Sequence, residues 1–361
     1  MSVKNRMKIY EDLVNLNGIS GHERGVRKYL LQEIKKYTDN IVVDKLGSVF
    51  GVLSNKEQPV IMIAGHMDEV GAIVSSITES GFIKMIPIGG INPEIMLSQN
   101  LLITINDQKV IKGVVGAIPP HINRGGGNTS PQQLQFENLL LDIGADSREH
   151  AKEMGVEVGQ MITFENNYYI TEDGKKVVSK AWDNRFGCGM ALEILKEAKS
   201  LNHPNTLVLG ATVQEEVGLR GAFTSSWAVK PDLFIAVDVS PVGDFLNKDN
   251  PRAYGKLGAG FLVRFYDPRT LLPQKMKVYL EDLAKRNNIP YQQFLSMGGT
   301  DAGAAQYAGS GALAITIGLP GRYIHSTAAM IHVDDIEAVR KMLLALIVDF
   351  DKEKLQEMKN A

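Results

Sequence analysis

The sequence predicts an α/β fold in which a mostly parallel sheet is flanked by helices and carries a small inserted β-barrel. Two observations support this prediction. Apolar runs with strand character alternate with amphipathic helical segments at both ends of the 361-residue chain, as in parallel sheets. Between residues 71 and 163, short β-type runs are divided by turn residues, which is typical of a small barrel or sandwich. We therefore predict one discontinuous domain of residues 1–70 and 164–361, with residues 71–163 as an inserted β-rich domain.

In the discontinuous domain, helices and strands alternate. Residues 3–37 predict two helices separated by NGISGHE, and PVIMIAGH predicts a buried strand that ends at His66. Behind the insert, AWDNRFGCGMALEILKEAKS predicts a helix that begins near Asp183, and TLVLGATV and DLFIAVDVS predict two strands. MKVYLEDLAKRNN predicts an amphipathic helix, ALAITIG a strand, and DIEAVRKMLLALIVDFDKE the closing helix. This order favours a parallel sheet with helices on both faces.

The insert is recognised by its β-type runs, which are GAIVSSIT, GFIKMIPI, NLLITIND and VIKGVVGAI. Its glycine-rich loop, NRGGGNTS, lacks the strand–loop–helix context and the Lys-Ser/Thr ending of a phosphate-binding loop. We therefore expect no nucleotide site in this loop.

Composition excludes several classes of function. The net charge of -2 gives no general attraction to nucleic acid or to anionic membranes. No window approaches the roughly 18 consecutive apolar residues of a membrane span, and the N-terminal residues lack the apolar region of a signal peptide. The single cysteine, Cys188, excludes an intrachain disulfide and suits a reducing compartment. We expect a cytoplasmic protein that binds neither nucleic acid nor membrane.

Acidic and imidazole side chains stand at the ends of the predicted strands. His66 ends the first of these strands, and Asp68 follows it by two residues. Because ligands of open α/β sheets bind beyond the carboxyl ends of the strands, we expect these side chains to lie close together. Two adjacent, half-buried glutamates are also costly unless a cation binds them. The full set is His66, Asp68, Asp183, Glu215, Glu216, Asp238 and His325.

The chemistry of this set indicates metal ions. It offers imidazoles and carboxylates but no sulfur, which suits Zn²⁺, Co²⁺ or Mn²⁺ in an open catalytic site. The set is too large for one tetrahedral ion with an open position. Apart from Asp68, the set offers two imidazoles and four carboxylates. Two ions roughly 3.5–4 Å apart, bridged by one carboxylate, would use five of these ligands and leave one carboxylate to deprotonate a water bound there.

Four residues carry expectations about contacts around this site. Asp68 lies two residues from His66 on the same strand face, so its carboxylate is expected to bond the far imidazole nitrogen, unless it only caps a turn. In SMGGTDAGAA, Thr300 or Asp301 is expected to cap a helix, and contact with the substrate backbone is a second role. His121, in PPHINRGGG, is a further candidate because the insert can lean over the site.

Six motifs in order resemble a known family. They are AGHMDEVG, SKAWDNRFG, VQEEVGLRGA, AVDVSP, GGTDAGAA and RYIHS. The chain is similar, nearly end to end, to the dinuclear metallo-aminopeptidases that include the bacterial glutamyl aminopeptidases and the archaeal tetrahedral aminopeptidases. The segments VRFYDP and PPH resemble the glutamyl branch. The resemblance implies a zinc-exopeptidase-like catalytic domain and an inserted barrel that drives assembly of dimers into a tetrahedral dodecamer.

The resemblance also implies a role for each residue of the site. His66 and Asp238 would bind one metal, and Glu216 and His325 the other. Asp183 would bridge them, Glu215 would be the general base, and Asp68 the partner of His66. Two divalent ions per subunit are implied, with zinc or cobalt favoured over manganese. One departure is the segment TAAM after RYIHS, where many relatives carry an acidic or polar run.

We expect hydrolysis of the N-terminal bond of peptides, with a preference for Glu or Asp as the first residue. An acidic side chain needs a cationic partner, for which arginine is favoured. Arg264 is the main candidate because it interrupts the apolar run GAGFLVRFY, although a structural ion pair with Asp267 is the alternative. Arg185, Arg220 and Arg322 are further candidates.

Other functions use the same residues. A broader, leucyl-type aminopeptidase and a dinuclear N-acyl amino acid amidohydrolase both fit the ligand set. A glucanase needs a carboxylic acid and a carboxylate that flank a sugar, and a metal-binding assembly scaffold needs no general base.

Overall fold

The computed structural model describes residues 3–54, 59–117, 134–246 and 254–359, so His121 and the loop NRGGGNTS lie outside the described residues. The helices are α1 (Val3–Val14), α2 (Arg24–Ile34), α3 (Arg148–Glu153), α4 (Trp182–Ala198), α5 (Arg220–Val229), α6 (Gln274–Arg286), α7 (Ala302–Ala305), α8 (Val333–Asp349) and α9 (Lys352–Lys359). The strands are β1 (Ile41–Val43), β2 (Val49–Leu53), β3 (Val60–His66), β4 (Gly71–Ile77), β5 (Ile83–Ile88), β6 (Asn100–Asn106), β7 (Lys109–Val115), β8 (Leu140–Asp142), β9 (Met161–Phe164), β10 (Tyr169–Ile170), β11 (Lys176–Ser179), β12 (Thr206–Thr212), β13 (Leu233–Pro241), β14 (Phe261–Asp267), β15 (Thr270–Leu271), β16 (Tyr291–Leu295), β17 (Leu313–Arg322) and β18 (Ala329–His332). Two 3-10 helices cover Pro93–Met96 and Phe136–Asn138.

The main sheet has twelve strands and a parallel centre. Its order is β1-β2-β12-β3-β13-β17-β18-β11-β10, and β14 joins β17, β15 and β16 off this path. The central neighbours β12, β3, β13 and β17 are parallel, whereas β2, β14 and β18 add to them in antiparallel fashion. This arrangement confirms the predicted α/β fold with a mostly parallel centre.

Apolar side chains fill both faces of the central strands. On β3, Ile61 and Ile63 join the large core beneath α4 and α8, while Met62 and Ala64 join a second core beneath α5 and α7. Successive residues of a strand point to opposite faces, so a strand buried on both sides reads as one continuous apolar run. This is why the sequence of β3 lacks polar residues before His66.

The insert forms a closed barrel with its own apolar core. The strand order is β4-β5-β8-β7-β6-β9, and all pairs are antiparallel. On β7, Ile111, Gly113 and Val115 are buried while the residues between them are exposed, as expected for a strand with one wet face. The barrel is part of the predicted fold class, whereas its use for oligomerisation stays a prediction.

The chain end differs from the predicted closing helix. Helix α8 ends at Asp349, and a separate helix, α9, begins at Lys352. Phe350 has an extended conformation, and the side chain of Asp351 accepts a hydrogen bond of 2.9 Å from the amide of Lys354, which starts the new helix. None of the helices in the described ranges combines the length and the apolar character that crossing a bilayer requires.

Helix α4 approaches the sheet closely at two glycines. A Cβ atom on Gly65 would collide with the main chain of Gly187, and one on Gly187 would collide with the carbonyl of Val237. Only glycine permits this approach. It brings the first turn of α4, which contains Asp183, next to the ends of β3 and β13.

We predict that Gly187→Ala lowers the free energy of unfolding by about 1–3 kcal/mol, because the added methyl group must push α4 away from the sheet. Urea unfolding followed by circular dichroism measures this change. The control is Gly25→Ala in α2, where the nearest atom to an added Cβ is 3.8 Å away. The control should leave stability unchanged or slightly higher, and equal unfolding midpoints for both variants would contradict the prediction.

Candidate metal centre

The structure brings together the chemically active residues predicted from the strand ends. His66 ends β3, Asp238 lies on β13, and Asp183 lies at the start of α4. Glu215 and Glu216 follow β12, and His325 follows β17. Among the described residues, three groups place their ligand atoms within 4.8 Å of one another. The groups are His66 with Asp183 and Asp238, Asp183 with Glu216 and His325, and His66 with Glu215 and Glu216.

Asp183 lies between the two histidines. Its Oδ1 is 3.0 Å from Nε2 of His66, and its Oδ2 is 3.3 Å from Nε2 of His325. Nε2 of His325 is also 3.5 Å from Oε1 of Glu216. Each carboxylate oxygen of Asp183 therefore faces a different imidazole, and two of the three ligand groups share this residue.

Main-chain carbonyls orient both imidazoles. Nδ1 of His66 lies 3.0 Å from the carbonyl oxygen of Asp68, and Nδ1 of His325 lies 2.7 Å from that of Gly90. A carbonyl can only accept, so each Nδ1 carries a hydrogen and each Nε2 faces the carboxylates of the site. Gly90 follows β5, so the barrel contributes directly to the site.

Asp68 has further partners besides His66. Its Oδ1 is 3.5 Å from Nδ1 of His66, and the main-chain carbonyl makes the shorter contact with that nitrogen. The buried carboxylate also accepts from the amides of Glu215 at 3.0 Å and Glu216 at 3.1 Å, and from the hydroxyl of Ser20 at 2.6 Å. It holds the main chain that carries the two glutamates.

Burial and mutual repulsion perturb the acids of the site. Burial raises the pKa of Glu216 to about 8 and that of Asp238 to about 7, and it raises the pKa of Glu215 well above its usual range. Burial alone would lower the pKa of His325, but Asp183 and Glu216 raise it to about 10. The metal-free site thus holds acids whose charged forms are disfavoured by burial and by one another.

These observations fit divalent metal ions. Oε1 of Glu216 is buried and has no hydrogen-bond partner among the described residues, and the Nε2 atoms of both histidines face carboxylates. Imidazole nitrogen and carboxylate oxygen are ligands that zinc and cobalt accept in open catalytic sites. A cation would relieve the repulsion that raises the pKa of the acids.

A cavity of about 470 Å³ opens over the site, and two guanidinium groups line it. Arg264 is buried, and its Nη2 donates to the carbonyl of Gly298 at 2.9 Å. Its Nε lies 3.5 Å from the carboxylate of Asp267, so the ion pair exists but is loose. Arg269 is exposed, and its aliphatic stem packs where Cβ atoms of Gly299 and Gly303 would stand.

The sequence does not single out Arg269, because it lies in a turn between two strands and interrupts no apolar run. The other arginines considered are engaged elsewhere. Arg185 donates to the carbonyls of Leu13, Leu16, Gly18 and Met67, Arg220 donates to Gln214, and Arg322 donates to Asp244. They are therefore not on the cavity wall.

Thr300 and Asp301 lie beneath the site and do not line its cavity. Both are buried; the Thr300 hydroxyl is 2.8 Å from that of Thr316, and Asp301 accepts from the Thr212 hydroxyl. Asp301 precedes α7 without a capping hydrogen bond from its side chain. The contacts of these side chains are thus with the protein interior.

Comparison with known proteins identifies relatives over the whole chain. A model of the family described as M42 glutamyl aminopeptidase matches residues 47–342. The chain is 40% identical over 350 residues to the glutamyl aminopeptidase of Lactococcus lactis subsp. cremoris, covering 96% of this chain and 97% of that protein.

Solved structures agree with this result. The TET aminopeptidase of a marine sediment archaeon, Thaumarchaeota archaeon SCGC AB-539-E09, superposes with a TM-score of 0.92 at 33% identity, covering 98% of this chain and 99% of that chain. The TET1 peptidase of Pyrococcus horikoshii, which can assemble into a tetrahedron or a large octahedral shell, gives a TM-score of 0.85 at 28% identity, with 96% and 100% covered.

We predict that the melting temperature of the metal-free protein falls as pH rises from about 5.5 to 8.5. Glu216, Asp238 and His325 have raised pKa values and hold protons in the folded state that the unfolded chain has already released, so folding loses free energy as pH rises. Zinc needs the deprotonated ligands, so the stabilisation that it gives should grow over the same range.

Differential scanning calorimetry of EDTA-treated protein, with and without added zinc, measures both trends. Glu216→Gln removes one of the titrating groups and should flatten the pH dependence. Glu33→Gln, at an exposed pair with Lys36, should leave it unchanged. A zinc-induced shift that is constant from pH 5.5 to 8.5 would contradict the prediction.

Proposed function

Because this chain belongs to the M42 glutamyl aminopeptidase family, it is an aminopeptidase, and we propose that it works with two divalent metal ions bound at the centre described above. The observation that supports this proposal is the pair of ligand groups that share Asp183. His66 and Asp238 would hold one ion, Glu216 and His325 the other, and Asp183 would bridge them. Zinc or cobalt suits these ligands best, and manganese is accepted by similar ones.

When bound, such ions lower the pKa of a water toward neutrality and polarise the scissile carbonyl. The chain's own residues supply the rest of the reaction. Glu215 accepts a proton from the attacking water and returns it to the departing amine. Its carboxylate lies 3.8 Å from Nε2 of His66 and faces the cavity beside the ligand groups.

Asp68 keeps the general base in place. It accepts hydrogen bonds from the amides of Glu215 and Glu216, so the two neighbouring side chains leave a fixed main chain in different directions. One glutamate is then free for proton transfer while the other serves as a ligand. The acidic wall also attracts the protonated α-amino group of a peptide, which favours cleavage of the first peptide bond.

We propose a preference for acidic first residues. Arg264 and Arg269 are guanidinium groups on the wall of the cavity that contains the metal-ligand residues. A guanidinium pairs with a carboxylate through two parallel hydrogen bonds, which distinguishes Glu and Asp from neutral side chains. The name of the Lactococcus relative, glutamyl aminopeptidase, supports the same preference.

A broader, leucyl-type specificity is the second candidate, and one feature favours it. An apolar groove of about 530 Å³ adjoins the cavity and shares Pro241, Ser296 and Gly298 with it. Phe245 and Phe294 are among its lining residues. Such a groove accepts an apolar side chain at a favourable free energy.

We further propose a cytoplasmic homo-oligomer of dimers that assemble into a tetrahedral dodecamer, with residues 71–163 as the oligomerisation domain. The shells of the Pyrococcus TET1 peptidase support this assembly. The barrel carries exposed apolar side chains that a partner subunit could cover, namely Ile86, Val110, Val114 and Val158. The buried free thiol of Cys188 is in keeping with a reducing compartment.

We predict that the purified protein releases N-terminal residues from peptides, loses this activity in EDTA and regains it with Zn²⁺, Co²⁺ or Mn²⁺. Glu215→Gln should lower turnover at least 100-fold, roughly the contribution of a general base, while both metals stay bound. Glu216→Gln should bind less metal because it removes a ligand.

Anilide hydrolysis and elemental analysis of both variants measure these outcomes. The two variants are matched controls, since they make the same change at neighbouring positions. Equal metal contents would overturn the division of roles between the two glutamates. Activity on N-acetylated amino acids in place of free N-termini would identify an amidohydrolase instead.

We predict that Arg264→Leu lowers kcat/KM for Glu- and Asp-anilides about 10- to 100-fold relative to Leu-anilide, because a hydrogen-bonded ion pair with substrate is lost. Arg269→Gln should act in the same direction, and its exposed position puts folding at little risk. Arg286→Leu, which removes an exposed pair with Asp349, is the control. Glu-to-Leu preferences that match the wild type in both cavity variants would favour the broader specificity.

A further inference from the structure

We propose that Glu23, in the loop between α1 and α2, is a positioning residue for the general base and acts through the main chain of Gln214. This inference rests on the proposed role of Glu215. Glu23 lies 191 residues before Gln214 in the sequence, and its carboxylate accepts a 3.0 Å hydrogen bond from the Gln214 amide.

Glu23 is a buried residue whose carboxylate holds the main chain of Gln214. Only 7% of it is exposed, although glutamate is rarely buried in folded proteins. A hydrogen bond from an amide to a charged carboxylate is stronger than one to a neutral acceptor. The residue that receives this anchor stands directly before Glu215, so the anchor fixes the main chain from which the base projects.

Gln214 needs such an anchor because of its backbone conformation. Its φ is +55°, in the left-handed region, which costs a residue with a side chain roughly 1–2 kcal/mol. A conformation of this kind persists only when surrounding contacts hold it. Arg220 donates to the carbonyl and to the side chain of Gln214, and the bond to Glu23 is the contact that holds the Gln214 amide.

The neighbouring amides are held in the same manner. Those of Glu215 and Glu216 donate to Asp68, and the hydroxyl of Ser20 donates to Asp68 in turn. Three successive amides, of residues 214–216, therefore point at two buried carboxylates. Glu23 supplies one of these carboxylates, and Ser20 donates a hydrogen bond to the other, that of Asp68.

Removal of the Glu23 carboxylate should displace Glu215 without dismantling the ligand groups. Asp68 still holds the amides of Glu215 and Glu216, and neither histidine contacts Glu23. A displacement of the base of about 1 Å is enough to lower a rate by roughly 100-fold. The expected defect is therefore in turnover rather than in metal or substrate binding.

The test compares Glu23→Ala and Glu23→Gln in the metal-loaded full chain. For Glu23→Ala we expect kcat to fall about 10- to 100-fold, with KM, metal content and the visible absorption spectrum of the Co²⁺-loaded enzyme unchanged. Glu23→Gln keeps an oxygen acceptor for the Gln214 amide and should recover most of the lost kcat. Glu33→Ala on α2, at an exposed pair with Lys36, is the control and should retain wild-type kcat.

A merely structural role would instead lower the melting temperature and metal content while kcat per bound metal pair stays constant, and this result would overturn the proposal. A kcat within twofold of wild type for Glu23→Ala would also overturn it. If Glu23→Ala does not fold, Glu23→Asp is the alternative variant. Its side chain is one methylene shorter, so the carboxylate lies farther from the Gln214 amide, and kcat should fall while the metal content stays complete. Failure of the proposed base is recognised separately, because Glu215→Gln would then remain active.

Discussion

Repulsion among the carboxylates at the ends of β3, β12 and β13 is the constraint on which the rest of the structure depends. Burial raises the pKa of Glu215, Glu216 and Asp238, since each charged form loses water beside other anions. Burial alone would also raise the pKa of Asp183, but hydrogen bonds from His325 and His66 lower it. A carboxylate that stays charged thus lies between the two groups of ligands, where the proposed pair of cations would need a shared ligand.

Main-chain atoms hold this arrangement in place. The carbonyls of Asp68 and Gly90 orient the imidazoles of His66 and His325, and the amides of Glu215 and Glu216 bind the carboxylate of Asp68. The carbonyl of Gly90 follows a strand of the barrel, so the inserted domain orients one imidazole of the site. An insert at this position in the chain is therefore part of the site's construction, whatever else its outer surface contacts.

The sequence predicts the fold and the meeting of the acidic and imidazole side chains at one edge of the sheet, because both depend on side-chain type. Continuous apolar runs mark buried parallel strands, and parallel strands bring residues such as His66 and Asp238 to one edge. Contacts made by main-chain atoms have no sequence pattern of this kind. The carbonyl that accepts from Nδ1 of His66, and the hydrogen bonds of Ser20 and Glu23, depend on how distant loops pack. The sequence does not point to Arg269, because a charged residue in a turn is ordinary. Only the structure shows that this side chain lines the cavity of the site.

Charge links the metal centre to specificity. Four carboxylates line the cavity, those of Asp183, Glu215, Glu216 and Asp238. Their formal negative charges would cancel the positive charges of two divalent ions. Arg264 and Arg269 would then leave the loaded cavity with net positive charge. The proposed acidic preference would therefore be a property of the metal-loaded site as a whole. The apolar groove beside the cavity does not need bound metal to accept a side chain. Its affinity for an uncharged side chain depends on the buried area and not on the charge of the metals.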